Sequence, residues 1–469
     1  MKREGFKSRL LAGVVTLVAV LLLSGLALPV MPDTLPDAAN RADRGRSLTG
    51  SMVSCAEAKK KTKKDYVQID TPEAKRDRRI LKKMIKQARG NKRWTGISKK
   101  LTSYEYKWDK NGRLIAIDWS YCEIAASSLK VGKLTKLERL DINTFTKKLK
   151  KLDVSQATAL KELWCSNNLG LKEIKVGKKS SIEELILWNT ALTKIDLSRF
   201  PNLKDLNCDY TDIKELKLSA VPKLTDLSCI GTDIAELDLV SVPKLESLDC
   251  SYSKIRSFDF SHSAKLKWLA ASDCKLDSIN LSGLRDIKSL FLDFNNLTEI
   301  DLSGLTKLKE LWVDVNYLEN LDVSGLPALS ILSCSDNKLT ELSVSQNANL
   351  EGLECNENRL TSLNLTQNPD LLYLECAYNE ITALDLSRNA KLWYVNCQSN
   401  KLAELDVTAL KKLAELTCTK NNLVTLDLSQ NKNLYYVVCD RTVDVPGWRY
   451  EGYRDESNRL VHYWVKKKK

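Results

Sequence analysis

The sequence predicts an α/β-type repeat solenoid, a curved body of 21-residue turns with a parallel concave β-sheet and short convex segments. A helical N-terminal cap and a small β C-terminal cap close its ends. Three observations predict this. A pattern L-x-x-L-x-C-x-x-N starts at Leu160 and restarts at Ile182, Leu203, Leu224, Leu245, Leu266, Ile287, Leu308, Leu329, Leu350, Leu371, Leu392, Leu413 and Leu434, with a first step of 22 residues and every later one of 21. Of the 13 cysteines, ten fall at one position of that pattern. The 469 residues include only two histidines, His262 and His462, which leaves little material for histidine acid/base or zinc chemistry.

The elements follow in chain order. Residues 1 to 9 carry Lys2, Arg3, Lys7 and Arg9, and Leu10 to Leu28 hold no charge. A basic n-region before an apolar h-region, with Gly25 and Ala27 as small residues near its end, reads as an export signal. Nineteen apolar residues also come close to spanning a bilayer, so residues 1–28 are a signal peptide or a signal anchor. Either one places the rest of the chain outside the cytoplasm. Residues 29–66 read as a flexible basic linker that includes Cys55 as a linker thiol; Val53-Ser54-Cys55 stands too far past the apolar run for lipoprotein processing.

Residues 67–113 read as a basic helical N-terminal cap. Asp70 or Thr71 can cap a helix with Pro72 in its first turn; Ala74, Leu81, Ile85 and Ala88 mark one apolar face, and Gly90 ends it. That stripe needs a cover, and the open end of the next element supplies one. The chain's net charge of +13 is concentrated here: residues 56–113 hold 20 Lys/Arg against 7 Asp/Glu.

The repeat occupies residues 114–442 in about 15–16 units, the first two, from Leu114 and Leu137, running 23 residues each. Each unit also carries a second signature, as in Leu192-Thr-Lys-Ile-Asp-Leu-Ser198. This is the signature of a leucine-rich-repeat horseshoe, each turn adding one short parallel strand. Alternation turns repeat positions 4 and 6 inward and positions 3, 5 and 7 onto the concave surface. Position 6 holds Cys165, Cys208, Cys229, Cys250, Cys334, Cys355, Cys376, Cys397, Cys418 and Cys439, and elsewhere Leu187, Ala271, Leu292 or Val313. A column that accepts thiol or aliphatic is a packing column, and its stacked side chains run parallel without converging as a disulfide requires. Cys122 and Cys274 fall at position 9, a column otherwise of Asn, Thr and Ser such as Asn316 and Asn358, whose side chains can satisfy carbonyls of the neighbouring turn.

The unit Leu350-Glu-Gly-Leu-Glu-Cys-Asn-Glu-Asn358 with Leu360-Thr-Ser-Leu-Asn-Leu-Thr366 resembles the cysteine-ladder leucine-rich repeats of bacterial internalin-like surface proteins, over about residues 114 to 442. The resemblance implies an exported bacterial adhesin or interaction scaffold with a helical N-terminal cap. Members often carry a cell-wall anchor, whereas this chain ends in Trp464-Val-Lys-Lys-Lys-Lys469 without an LPxTG-type sorting signal. Residues 443–469 read as a hairpin cap with a Lys tail, His462 belonging to the cap and His262 to a solvated convex turn.

No nucleophile beside a base, phosphate-binding glycine loop or metal-spaced Cys/His cluster stands out, so no enzyme activity, cofactor or metal is expected. The concave positions carry the functional signal. Over fifteen units from Leu137 they supply 45 residues, 14 of them acidic, with Arg139 the single basic one. Eight are aromatic: Trp164, Trp188, Trp268, Phe291, Trp312, Tyr373, Tyr394 and Tyr436. Two patches stand out as candidate binding residues. One joins Trp268, Phe291 and Trp312 with Asp293, Glu310 and Asp314; the other joins Glu354, Tyr373, Glu375 and Tyr394. The bland reading is a solvated strand face with aromatics bracing one another, but solvation alone should mix the signs of charge.

Two functions follow. One is an exported, cell-surface adhesin that binds a protein, basic for preference, or a glycan on this face. The other is an envelope-associated structural protein whose basic N-terminal region, including Lys59-Lys60-Lys61 and the Arg76 to Lys100 cluster, holds anionic wall polymers or lipids. Membrane contact beyond that comes only through an uncleaved anchor, and export argues against nucleic acid as the partner.

Overall fold

The computed structural model describes residues 69–92, 95–454 and 460–466. The expected export signal, the linker with Cys55 and the Lys tail lie outside the described residues.

Helix α1 (Pro72–Arg89) is placed as its sequence predicts: Thr71 caps it by accepting from the Ala74 N–H, and Gly90 ends it in a positive-φ conformation. Its apolar stripe, Ala74, Leu81, Met84, Ile85 and Ala88, is buried. Asp77 is buried with it, and the Arg113 Nε donates to Asp77 Oδ2 at 2.7 Å. That pair pins the helix to the first turn, since either charge left alone in the interior would be strongly destabilising. The cap also contains a short strand not foreseen from its composition. β1 (Tyr106–Trp108) pairs antiparallel with β2 (Leu114–Asp118), so the open edge of the first turn is closed by backbone as well as by α1.

From β2 onward each repeat contributes a strand to one 19-stranded sheet, parallel throughout its interior. The strands are mostly three residues long, such as Glu162–Trp164 and Tyr373–Glu375, and pair in register one repeat apart. At the far end the hairpin Trp448–Arg454 with Leu460–Lys466 lies antiparallel to the last strand through Val437 and Trp464, and Trp464 is buried. Both ends of the sheet are thus covered by antiparallel strands.

The looser first units have a structural counterpart. In them the second signature forms a second, three-stranded parallel sheet from Ser128–Lys130, Lys151–Asp153 and Glu173–Lys175, the extra residues lying in the stretch before it. Once the unit shortens, that position forms no strand, and short 3₁₀ turns follow it at Leu197–Arg199, Leu218–Ala220 and Leu239–Ser241. The second signature explains the turn chemistry. Asp301, Asp322, Asp385 and Asp427 each accept the backbone N–H of the serine two residues on, at 2.8 to 2.9 Å, turning the chain without help from its neighbours.

All twelve described cysteines are free thiols, and the ten of the ladder are buried. Thiols lean along the stack, as Cys334 Sγ does toward the Glu354 carbonyl at 3.5 Å. Cys376→Ser is expected to cost about 1 to 3 kcal/mol by placing a hydroxyl in an apolar column, and Cys376→Val less. Urea unfolding checks the ranking, and alkylation under denaturing conditions followed by mass measurement should count ten unpaired ladder sulfurs.

The ninth column carries the backbone accounting. Asn316, Asn337, Asn358, Asn379 and Asn400 each donate from Nδ2 to a carbonyl one turn back, as Asn358 does to Cys334 O at 3.0 Å. Cys274 copies this with its thiol, 3.2 Å from Cys250 O. A second, buried asparagine row on the convex side, Asn347, Asn368, Asn389 and Asn431, repeats the device.

Candidate functional site: the concave face

Strands only three residues long leave N–H groups at position 7 without a backbone partner, and side chains at that position of the preceding turn supply one. Asp293 Oδ1 accepts the Asp314 N–H at 3.0 Å, Asp314 accepts the Ser335 N–H, and Asn356 Oδ1 accepts the Ala377 N–H at 2.7 Å. Asp209 does the same for Ile230 at 2.8 Å. Part of the acidic signal in the sequence therefore has a structural origin: Asp293 and Asp314 are fixed in place by the turns they tie together.

The predicted aromatics come together as expected from adjacent turns. The ring centroids of Trp268 and Phe291 stand 4.5 Å apart and those of Phe291 and Trp312 6.1 Å apart, both tilted. This is a continuous half-buried row, so the rings brace one another while keeping one side toward solvent. Tyr373 and Tyr394 are paired in register on adjacent strands. Tyr373 lies flat over Gly352, where a β-carbon would overlap its ring.

The structure merges the two predicted patches into one. Ser333 Oγ donates to Asp314 Oδ1 at 2.8 Å and stands 3.4 Å from Glu354 Oε2, bridging the gap. Ser333 and Gly352 were not singled out from the sequence, because small residues give no signal of their own; that both precede a bulky or charged neighbour one repeat on was the available clue. Asn356 Nδ2 donates to Glu375 Oε2 at 2.6 Å and orients that carboxylate. Glu310 is 5% exposed and adds charge to the face with little contact area.

Burial is the first cause of the carboxyl shifts. It pushes Asp249 and Asp293 up to about 6 and Glu354 up to about 7, the neighbouring Glu375 adding to Glu354. Asp314 is raised well above the carboxylate range by burial and by Asp293. Burial and the carboxylates around them also raise the Tyr373 and Tyr394 hydroxyls.

Several acids off the concave face are matched by bases from the adjacent turn. Along the rim, at position 2, Lys204 meets Glu183 at 2.6 Å and Lys267 meets Glu246 at 2.7 Å. Arg139, the single concave cation, stands against Glu162 and over the Trp164 ring, 4.0 Å from its centroid. Among the described residues Asp293, Asp314, Glu354 and Glu375 have no ion-pair partner. The face can therefore offer aromatic surface together with carboxyls that have no cation of their own and gain negative charge as pH rises through about 6 at Asp293 and about 7 at Glu354. No group of three or more His, Cys, Asp or Glu placed to hold a metal ion occurs among the described residues.

Several solved structures share this architecture. The functional domain of InlJ from Listeria monocytogenes, itself described as including a cysteine ladder, is 25% identical with a TM-score of 0.53, over 72% of this chain and 84% of that one. A leucine-rich-repeat protein of Leptospira interrogans is 24% identical with a TM-score of 0.56, over 66% and 91%. A TDR receptor is 21% identical with a TM-score of 0.55, over 71% and 64%. The last two speak for the fold alone. No family model and no curated protein matches the chain.

Proposed function

The chain is a cysteine-ladder leucine-rich-repeat protein of internalin-like architecture, and on that premise we propose that it is an exported binding scaffold, an adhesin module, taking a basic polypeptide on its concave face. One observation carries this: carboxylates on four of five neighbouring turns, without cations of their own among the described residues, border a row of tilted aromatic rings. Aromatic rings give contact area and hold Lys and Arg side chains, and the acids give them counter-charges. The reading is one of binding, carried by contact area and charge. Export rests on the charged start and apolar run of residues 1–28; the measured N-terminus of the protein recovered outside the cytoplasm tests it.

A Lys-rich peptide should bind, with affinity falling steeply between about 0.05 and 0.5 M salt, because exposed charges are screened within about 10 Å at 0.1 M. Trp312→Ala or Tyr373→Ala should each weaken it by about 2 kcal/mol, with the circular dichroism unchanged. Binding indifferent to salt would replace the basic partner with a glycan. Unfolding of both variants would assign the aromatics to bracing alone.

A second reading is favoured by α1, whose outer side is lined by Lys75, Arg79, Lys82, Lys83 and Lys86. Such a face suits anionic wall polymers or lipid headgroups. Retention of a Lys82→Gln/Lys83→Gln/Lys86→Gln variant on cell envelopes distinguishes it.

A further inference from the structure

We propose that the concave face receives helix α1 of a second copy of this chain, so that molecules join head to tail. The inference rests on the reading of that face as a site for a basic polypeptide and names the polypeptide.

The two surfaces match in charge and length. On α1, Lys75, Arg79, Lys82, Lys83 and Lys86 are exposed and recur at helical spacing along one side. Arg79, Lys82, Lys83 and Lys86 have no ion-pair partner among the described residues. The eleven steps from Lys75 to Lys86 span about 16 Å at a rise of about 1.5 Å. On the sheet, the turns from Asp293 to Glu375 are four strand spacings apart, about 19 Å at about 4.8 Å each. Apart from Lys75, which meets Asp70, neither row has an ion-pair partner among the described residues. The Trp268, Phe291 and Trp312 row lies beside the carboxylates, where the alkyl stems of lysines can pack.

A single copy cannot make this contact. The apolar side of α1 is buried on its own first turns and locked there by Asp77 and Arg113, with Gln87 Nε2 donating to Ser128 O at 2.9 Å. Asp293 stands eight strand spacings farther along, about 38 Å away. The contact joins unlike surfaces, one at the end and one in the hollow, so repetition gives open chains instead of a closed pair.

Sedimentation of the full chain tests this. Mass should rise with protein concentration at about 0.05 M salt and return to that of a monomer at about 0.5 M. Lys82→Glu/Lys83→Glu/Lys86→Glu should abolish assembly, and so should Glu354→Lys/Glu375→Lys. Mixing the two charge-reversed proteins should restore it, a result that misfolding of either cannot produce. Glu354→Gln/Glu375→Gln, which keeps the shape of the face, should weaken assembly at least tenfold.

A wild type that stays monomeric at low salt overturns the inference, as does assembly indifferent to reversal on α1. A monomer whose α1 instead binds vesicles containing phosphatidylglycerol also overturns it, assigning the helix to the envelope. The Lys-rich peptide separates the two levels. If it binds the α1-reversed monomer while wild type does not assemble, the face still takes basic polypeptides and only the second copy is wrong. If it does not bind either, both readings fall.

Discussion

Asn358→Ala is expected to destabilise the solenoid by about 3 to 5 kcal/mol, more than any other single truncation discussed above. Its Nδ2 donates to Cys334 O at 3.0 Å, Asn356 O at 3.1 Å and Cys355 O at 3.3 Å, and its Oδ1 accepts the Leu339 N–H at 3.0 Å. Alanine leaves the Leu339 N–H without a partner in an interior where the residue was 8% exposed, a cost of about 1 to 3 kcal/mol, and the three carbonyls, which keep Asn337 Nδ2, Asn379 Nδ2 and the Asp336 N–H as donors, each lose a further bond worth about 0.5 to 1.5 kcal/mol. Asn358→Asp restores an acceptor for the Leu339 N–H but sets a carboxylate against three carbonyls it cannot donate to, so it should recover little. Urea unfolding checks the size. Hydrogen exchange should place the damage in the turns from Leu329 to Leu371, since a solenoid turn interacts only with its neighbours. A loss below 1 kcal/mol would show that water replaces the amide.

Glu354→Gln should move stability and affinity in opposite directions. The folded-state value of Glu354, about 7, stands above that of an unfolded glutamate, so the folded chain holds the proton more tightly. Stability from this group is present below about pH 4.5 and is lost as pH rises through about 7. Asp249 and Asp293, raised to about 6, act in the same sense. Glutamine removes the cost of burying the charge, and at pH 8 the variant should be more stable by about 1 to 3 kcal/mol, the gain vanishing at pH 4. Affinity for a basic peptide should fall instead. In the wild type that affinity should rise from pH 5 to pH 8 as the face ionises against Asp293, Asp314, Glu310 and Glu375, with no cation opposing it among the described residues. Thermal melts and peptide titrations at the three pH values decide the matter; a variant that gains stability without losing affinity would make Glu354 a buried strain and no binding group.

What the sequence made legible was whatever repeats. The cysteine column could be read because leucine, alanine and valine replace it, and the ninth column because asparagine, threonine and serine share one capacity, donation. The aromatic row was legible because a 21-residue step puts Phe291 and Trp312 on adjacent strands. Non-repeating features were not. β1 is three residues in a basic segment with no partner of like sequence, and Asp77 looked like one more charge on a charged helix until Arg113 was seen beneath it. The second sheet of the early turns accompanies one or two extra residues per unit, which sequence shows as looseness without saying what forms beside it. Asp293 and Asp314 read as surface charge because their task, holding an amide one turn away, is set by the distance between chains and not by their own neighbours.

The cysteine column has a kinetic consequence. Only a thiolate reacts at speed, and burial raises thiols inside the column, Cys397 to about 12 and Cys355 and Cys376 well above the ordinary range. Cys274, eased down to about 7 by its thiol contact with Cys250, is the exception. Any reagent must therefore wait for a turn to part from its neighbour, and its rate at each sulfur reports how often that turn does so. The column is a set of ten clocks spaced along the arc. Those near the ends, such as Cys439, should run faster than Cys376 at the middle, so fraying and breathing can be timed turn by turn without adding a label.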